Sequence, residues 1–81
     1  MQNVEQTWII LGATSSMARA MARQLAKEGA ALILCGRDMD DLAATAADCT
    51  ARGATEAVAI RFDARDSATF TPIIDRALQN E

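Results

Sequence analysis

The chain has 81 residues, 51% of them hydrophobic and 4% aromatic, and its 8 basic and 11 acidic side chains leave a net charge of -3. This length allows one small domain, whose core must come from small, closely packed side chains. Lys and Arg are spread along the chain, which excludes a nucleic-acid-binding surface. No apolar run, residues 8–11 included, approaches the about 20 residues of a membrane span, and the N-terminus shows no secretion signal. We therefore expect a soluble, cytoplasmic protein.

The two cysteines, Cys35 and Cys49, lie in otherwise regular segments, without a CxxC spacing and without any His in the chain. Metal sites built from Cys and His need several such ligands at characteristic spacings. We therefore expect both cysteines to be reduced packing residues, with no disulfide and no metal site.

Three short apolar or β-branched runs alternate with helical patterns along the chain. The predicted strands are residues 7–12, 30–35 and 57–62. Each run is typical of a strand that helices cover on both faces. The connections are short, which favours parallel strands joined by right-handed crossovers in a βαβαβα arrangement.

The first two predicted helices have clear ends. The first covers residues 16–28, and its apolar stripe consists of Met17, Ala18, Met21, Ala22, Leu25 and Ala26. Gly29 follows, where a left-handed residue is favoured. The second covers residues 38–52, with Asp38 as its N-cap and Gly53 at its end.

The third predicted helix has the clearest apolar stripe, formed by Phe70, Ile73, Ile74, Ala77 and Leu78. Pro72 lies within this stripe and would break a hydrogen bond in a helix interior. We therefore predict a turn at residues 66–69, followed by a regular helix with Thr71 as its cap and Pro72 at its first position.

The junction between the first strand and the first helix carries the main functional signal. Gly12 is suited to a tight turn, the backbone amides that follow should point outward, and a helix N-terminus favours a bound anion. Thr14, Ser15 and Ser16 add hydroxyl groups. The same residues are also compatible with an ordinary strand-to-helix turn and N-cap.

Residues 11–18, LGATSSMA, resemble the glycine-rich TGxxxGxG loop of the short-chain dehydrogenase/reductase family. Only Gly12 is retained, because Leu11 replaces the threonine, and Ser16 and Ala18 replace the other two glycines. Ser16 therefore either shifts the phosphate or gives it a hydroxyl ligand. The resemblance implies that this loop binds the pyrophosphate of a nicotinamide dinucleotide. The implied contact residues are Gly12, Thr14, Ser15, Ser16 and Met17.

The end of the second strand bears on cofactor choice. In the family, NAD-specific members place an Asp at the position of Gly36, where it binds the ribose 2'-OH. Gly36 offers no side chain, and the guanidinium of Arg37 is suited to phosphate oxygens. The resemblance thus implies NADP rather than NAD. Alternatively, Arg37 is a solvated cation paired with Asp38 or Asp40.

At the end of the third strand, Phe62-Asp63-Ala64 resembles the family's segment at the adenine ring. The resemblance implies that the Asp63 carboxylate accepts from the adenine amino group and that the backbone N–H of Ala64 meets a ring nitrogen. The alternative is that Asp63 is a turn or capping residue ahead of Asp66-Ser67.

The catalytic residues of the family, a Ser and a Tyr-x-x-x-Lys pair, have no counterpart in the chain. It contains no Tyr, and its single Lys, Lys27, lies in the first predicted helix. The resemblance therefore implies the dinucleotide-binding part of an NADP(H)-dependent oxidoreductase that is inactive by itself. Two alternatives remain: a non-catalytic nucleotide-binding or regulatory domain, and a structural α/β module that assembles through the first strand.

We predict a Rossmann-type, three-layer α/β fold with a parallel sheet in strand order 3-2-1, all within residues 1–81. The first strand is then an exposed hydrophobic edge, which invites pairing. We expect a fragment of a larger doubly wound domain, in which the remainder of the chain covers this edge, or else a homo-oligomer formed through it.

Overall fold

The computed structural model describes residues 6–79, which form three β-strands and three α-helices in strict alternation. In chain order these are β1 (Thr7–Leu11), α1 (Ser16–Lys27), β2 (Ala31–Gly36), α2 (Met39–Arg52), β3 (Glu56–Arg61) and α3 (Phe70–Leu78), with a 3-10 turn at Ser67–Thr69. The predicted strands and helices thus exist, and most of their ends agree to within one residue. No helix in this part of the chain has the length and apolar character to cross a membrane.

The strands form one parallel sheet in which β2 lies between β1 and β3. The predicted strand order 3-2-1 is therefore confirmed. Ile10 of β1 pairs with Leu34 of β2, and Gly36 of β2 pairs with Arg61 of β3. Because all three strands run in one direction, their carboxyl ends and the loops that follow meet at one edge of the sheet.

Two apolar clusters cover the two faces of the sheet and create three layers. One cluster joins α1 and α2 to one face through Ile10, Ala13, Ala18, Ala22, Ala26, Ala30, Leu32, Leu34, Leu42, Ala46 and Cys49. The other, built around Ile33, Cys35 and Ile73, joins α3 to the opposite face. Cys35 and Cys49 are both free and buried, and they lie in different clusters. Burial raises the pKa of the Cys35 thiol to about 11, so it packs as a neutral side chain.

The prediction that every strand is covered on both faces holds only for β2, which is buried along its whole length. In β1 only Ile10 is buried, whereas Trp8, Ile9 and Leu11 are 40%, 44% and 55% exposed. The reason is that α1 and α2 pack mainly over β2 and β3, and α3 reaches β1 only in part. The expected exposed hydrophobic edge is therefore present at β1.

Helix α1 contacts the sheet through a narrower stripe than predicted. Its buried residues are Ala18, Ala22 and Ala26, spaced four apart, and their small side chains allow close packing on the strands. Met17 and Met21 are 83% and 47% exposed, so their assignment to the buried face was wrong. Each precedes an alanine of the stripe and is turned from it by about 100° around the helix axis.

The ends of α1 and α2 follow the local sequence. The Asp38 Oδ1 atom accepts from the Asp41 backbone N–H at 3.1 Å, which confirms Asp38 as the N-cap of α2. Gly29 and Gly53, which follow the two helices, have φ angles of +83° and +124°. Both values lie in the region that favours glycine, as predicted for helix ends.

Helix α3 begins earlier than predicted. Its first residue is Phe70 and its N-cap position is Thr69, so Pro72 is the third residue of the helix rather than the first. The first four N–H groups of a helix have no partner within it, and a proline at the third position therefore removes no hydrogen bond. The 3-10 turn at Ser67–Thr69 leads directly into the helix and occupies most of the predicted turn.

Candidate functional site

The carboxyl ends of the three strands enclose a cleft of about 500 Å³. It is lined by Gly12, Thr14, Gly36, Arg37, Asp38, Phe62, Asp63, Ala64 and Arg65. Ligands of open parallel α/β sheets bind in a crevice at this edge. Six of the nine site residues predicted from sequence line the cleft, and they come from the loops after all three strands. Ser15, Ser16 and Met17 do not line it.

The loop after β1 begins with Gly12, which has a φ of +68°. This left-handed conformation turns the chain away from the strand and is suited to glycine. The Ala13 N–H donates to the Cys35 carbonyl oxygen at 2.9 Å, so it extends the sheet and does not point outward as predicted. The Ser15 N–H closes the turn by donating to the Gly12 carbonyl oxygen at 3.2 Å.

The remaining amides of this loop are free within residues 6–79. The backbone N–H groups of Thr14, Ser16 and Met17 donate to no group in that part of the chain. Ser15 is the N-cap of α1, and its Oγ accepts from the Ala18 N–H at 3.1 Å. The loop is therefore both an ordinary helix cap and a set of unused donors at the positive end of a helix dipole.

The end of β2 has space where a side chain would be. A Cβ atom at Gly36 would lie 3.6 Å from Leu42 Cδ2 and 3.7 Å from Thr14 Cγ2, which are ordinary contact distances. The glycine thus leaves a small recess beside the loop after β1.

Arg37, the next residue, is exposed and makes neither a hydrogen bond nor an ion pair with residues 6–79. The alternative pairing with Asp38 or Asp40 is not observed. Asp38 instead caps α2 through its carboxylate. The guanidinium of Arg37 is therefore available at the wall of the cleft.

The end of β3 is held by a dense set of internal contacts. Asp63 is only 8% exposed, and its carboxylate accepts three hydrogen bonds from Arg65. The backbone N–H and Nε of Arg65 donate to Oδ1 at 3.0 and 3.1 Å, and Nη2 donates to Oδ2 at 3.1 Å. These bonds lower the pKa of Asp63 to about 2, so the carboxylate is ionised at neutral pH.

A second contact fixes the backbone of Asp63. Its N–H donates to the Thr69 Oγ1 at 3.0 Å, and the Thr69 hydroxyl has the carbonyl oxygens of Asp66 and Asp63 within 2.8 and 3.1 Å. Asp63 also closes a turn by accepting the Asp66 N–H at 2.9 Å. The alternative interpretation, that Asp63 is a turn residue, therefore agrees with its local contacts. The Asp63 Oδ2 atom, which accepts one hydrogen bond from Arg65, also lies 3.9 Å from Arg61 Nη2 in a longer ion pair.

Arg65 lines the cleft but is not among the site residues predicted from sequence. The available signal was the Asp-x-Arg spacing at the end of a strand. An aspartate that accepts the N–H of the second residue after it forms a common local turn. The guanidinium contact needs that turn to form first, so sequence alone offers only the turn.

Comparison with known proteins identifies the family. The sequence matches the short chain dehydrogenase family over residues 6–80. No curated protein sequence matches the chain significantly. A solved metagenomic short-chain oxidoreductase (SDR) in complex with NADP is 28% identical, with a TM-score of 0.81, over 93% of this chain and 34% of that one.

Two further solved structures are similar. A short-chain dehydrogenase from Sphingobium yanoikuyae in complex with NADPH is 30% identical, with a TM-score of 0.74, over 88% of this chain and 28% of that one. A 3-oxoacyl-(acyl-carrier protein) reductase with bound NAD from Brucella melitensis is 27% identical, with a TM-score of 0.78, over 90% of this chain and 28% of that one. The chain thus spans about a third of the length of the solved structures it matches. With a family match over nearly all of its residues and a Rossmann-like fold, the chain belongs to the short-chain dehydrogenase family and corresponds to its N-terminal, cofactor-binding part.

Proposed function

We propose that the cleft binds the adenosine and pyrophosphate portions of NADP(H), and that residues 1–81 are the first part of an NADP(H)-dependent oxidoreductase domain. One observation carries the proposal: a single cleft at the carboxyl ends of the strands collects Gly12, Thr14, Gly36, Arg37 and Asp63. They follow or end the three strands, and the family resemblance assigns a different part of the cofactor to each strand end. The donor set and the recess at Gly36 fit such a ligand.

The pyrophosphate is assigned to the loop after β1 and the first turn of α1. The free N–H groups of Thr14, Ser16 and Met17 supply donors, and the helix dipole favours the negative charge. The hydroxyls of Ser15 and Ser16 can donate as well, since the Ser15 cap uses its oxygen only as an acceptor.

The adenine ring is assigned to the loop after β3. Arg65 donates twice to Asp63 Oδ1 and once to Oδ2. We therefore assign the amino group of the base to Oδ2, whose other partner is Arg61 Nη2 at 3.9 Å. The exposed Ala64 has a backbone N–H without a partner in the described chain, suited to a ring nitrogen.

The preference for NADP is assigned to Gly36 and Arg37. Position 36 has no carboxylate that could bind a ribose 2'-OH or repel a 2'-phosphate. Arg37, at the cleft wall, makes no hydrogen bond or ion pair within residues 6–79. Of the three solved relatives described above, two hold NADP or NADPH and one holds NAD. The first two are in keeping with this assignment, and the third makes a direct test necessary.

The reaction itself is assigned to residues outside this chain. The bound nicotinamide would accept or donate a hydride, whereas the chain supplies neither a Tyr nor a Lys near the cleft. Lys27 ends α1, at the edge of the sheet opposite the cleft. The role of residues 1–81 is therefore to bind and orient the adenosine half of the cofactor.

The exposed β1 edge supports a partner for this segment. Ile9 and Leu11 project from the α3 side of the sheet, where they form an apolar groove with Phe62, Phe70, Ile73 and Ile74. We propose that the remainder of a longer chain covers this edge, with a second copy of the chain as the alternative.

The free, buried thiols of Cys35 and Cys49 are in keeping with a reducing compartment such as the cytoplasm.

The cofactor assignment is tested by replacing Arg37 and Gly36 in the full-length protein. A guanidinium on a 2'-phosphate contributes about 1.5–3 kcal/mol, or roughly ten- to a hundredfold in affinity. Arg37→Ala should therefore weaken NADPH binding at least ~tenfold and leave NADH nearly unchanged. Gly36→Asp should reverse the preference, and the contacts of its Cβ are ordinary.

Fluorescence titration with both cofactors at fixed ionic strength provides the measurement. Lys27→Ala is the matched control, because it removes one positive charge at the opposite edge of the sheet. Equal losses for NADPH and NADH in Arg37→Ala would contradict the NADP assignment. Absence of binding of either cofactor to the unaltered protein would contradict the proposed function itself.

A further inference from the structure

Arg61 lies beside Gly36 at the carboxyl edge of the sheet. The two residues are register partners in the parallel pairing of β2 and β3, and the Phe62 N–H donates to the Gly36 carbonyl oxygen at 2.8 Å. Side chains of register partners leave a sheet on the same face. A Cβ at Gly36 would point toward Leu42 and Thr14, so Arg61 leaves the sheet on the face that carries α1 and α2.

A groove of about 470 Å³ adjoins the cleft at this point. Arg37, Asp38, Met39, Asp40 and Arg61 line it, and Arg37 and Asp38 also line the cleft. Arg37 therefore lies between the two spaces, and Arg61 forms part of the wall of the groove. Gly36, which precedes Arg37 in the chain and pairs with Arg61 across the strands, contributes no side chain here.

Arg61 is free to take a new partner. Its side chain is 53% exposed, and its one ion pair within residues 6–79 joins Nη2 to Asp63 Oδ2 at 3.9 Å. That carboxylate already accepts three hydrogen bonds from Arg65. The ion pair is long and its Arg61 side is exposed, and the buried Asp63 carboxylate keeps its hydrogen bonds from Arg65 when Arg61 moves.

We propose that Arg61 is a second specificity-determining residue, which binds the 2'-phosphate of NADP(H) together with Arg37 from the adjoining groove. This inference rests on the proposed function, because that function places the ribose at Gly36. A phosphate with several acceptor oxygens can receive two guanidinium groups at once. Neither the glycine-rich loop nor the Gly36-Arg37 pair reveals this residue, which becomes a neighbour of Gly36 only through the strand register.

The formal charges of the groove favour a second cation beside Arg37 for binding a phosphate. Asp38 and Asp40 also line it, so Arg37 alone would leave its formal charge negative. The carboxylate of Asp38 accepts from the Asp41 N–H, which directs part of its charge toward the N-terminus of α2. With Arg61 included, the four charges balance, and both cations offer donors that a phosphate can use.

The test compares adenosine 2',5'-bisphosphate with 5'-AMP, two probes that differ only in the 2'-phosphate. Calorimetric titration of the full-length protein measures both affinities without any turnover. Arg61→Ala should weaken the bisphosphate at least ~fivefold and change the affinity for 5'-AMP less than about twofold. Arg61→Lys should keep part of the preference, because it retains the charge without the planar fork.

Lys27→Ala is again the control for a change in net charge and should alter neither affinity. An unchanged bisphosphate affinity in Arg61→Ala, with a loss in Arg37→Ala, overturns this inference and leaves the proposed function intact. Equal losses for both probes also overturn it, since Arg61 would then act through the fold. If the unaltered protein binds neither probe, the proposed function and this inference fall together.

Discussion

The loops after β1 and β3 occupy equivalent places at the carboxyl edge of the sheet, yet they are built in opposite ways. The loop after β1 turns on Gly12 with a positive φ and leaves three backbone N–H groups without a partner in the described chain. The loop after β3 joins Asp63, Arg65 and Thr69 by hydrogen bonds of their own side chains, although the Ala64 N–H has no partner in the described chain. One loop is open to a ligand, and the other is prearranged by its own side chains.

This difference separates binding from stability. An anion that reaches the first loop gains donors that are otherwise unused, so changes there should act on phosphate binding and on local backbone strain. In the second loop, the same kind of change removes contacts that already exist, and it should act on the free energy of unfolding. The two loops can therefore be distinguished by where the effect of a substitution is seen.

The largest effect on stability is expected from Thr69→Val in the loop after β3. Valine keeps the shape of the buried side chain but leaves the Asp63 N–H without its acceptor, which should cost about 1–3 kcal/mol. Thr50→Val is the control, because the exposed Thr50 hydroxyl only donates to the Ala46 carbonyl oxygen within α2. Urea unfolding of the full-length protein measures both. Similar small losses would show that the Thr69 contact does not hold this loop.

A somewhat smaller loss is expected from Gly12→Ala in the loop after β1. A Cβ there meets no atom within 4 Å, so the cost comes only from the φ of +68°, about 1–2 kcal/mol. Gly36→Ala is the matched control, since its Cβ would lie at contact distance and its φ is not positive. Unfolding of both variants at the same urea concentration would contradict the prediction, because it would mean that a side chain at position 12 causes no backbone strain.

The smallest effect is expected from Arg65→Ala, and it depends on pH. The Arg65 side chain is the main cause of the low pKa of Asp63, about 2 against an ordinary 3.8, and the backbone N–H of residue 65, which the variant keeps, and Arg37 also lower it. A carboxyl group whose pKa is lower in the folded state stabilises the fold above its unfolded pKa, and this contribution disappears as the pH falls through the folded value. The variant should therefore be less stable than the unaltered protein above about pH 4, and the difference should shrink as the pH falls from about 4 to 2 and vanish below that.

Unfolding midpoints of the two full-length proteins across this pH range provide the measurement. Because Arg65 is 77% exposed, its contribution should also shrink at high salt. A difference in stability that stays constant between pH 5 and pH 2 would mean that Arg65 acts through packing and not through the Asp63 carboxylate.

Much of the fold was predictable because its signals are local. The alternation of short apolar runs with helical patterns predicted the parallel order 3-2-1, and Asp38, Gly29 and Gly53 marked the ends of the first two helices. Capping and left-handed turns depend on a few neighbouring residues, so the sequence carries them directly. The start of α3 was wrong because the proline rule alone does not separate the first helical position from the third.

The candidate site divides in the same way. Amino-acid sequence alone determined that residues near positions 12, 36 and 63 follow three parallel strands, and parallel strands bring their carboxyl ends to one edge. Tertiary structure alone decided that the Arg65 guanidinium holds Asp63, that Arg37 makes no hydrogen bond or ion pair within residues 6–79, and that Arg61 lies beside Gly36. These contacts depend on strand register and on competition between side chains for the same acceptor. Gly36 and Arg61 are far apart in the chain and become neighbours only after the sheet has formed.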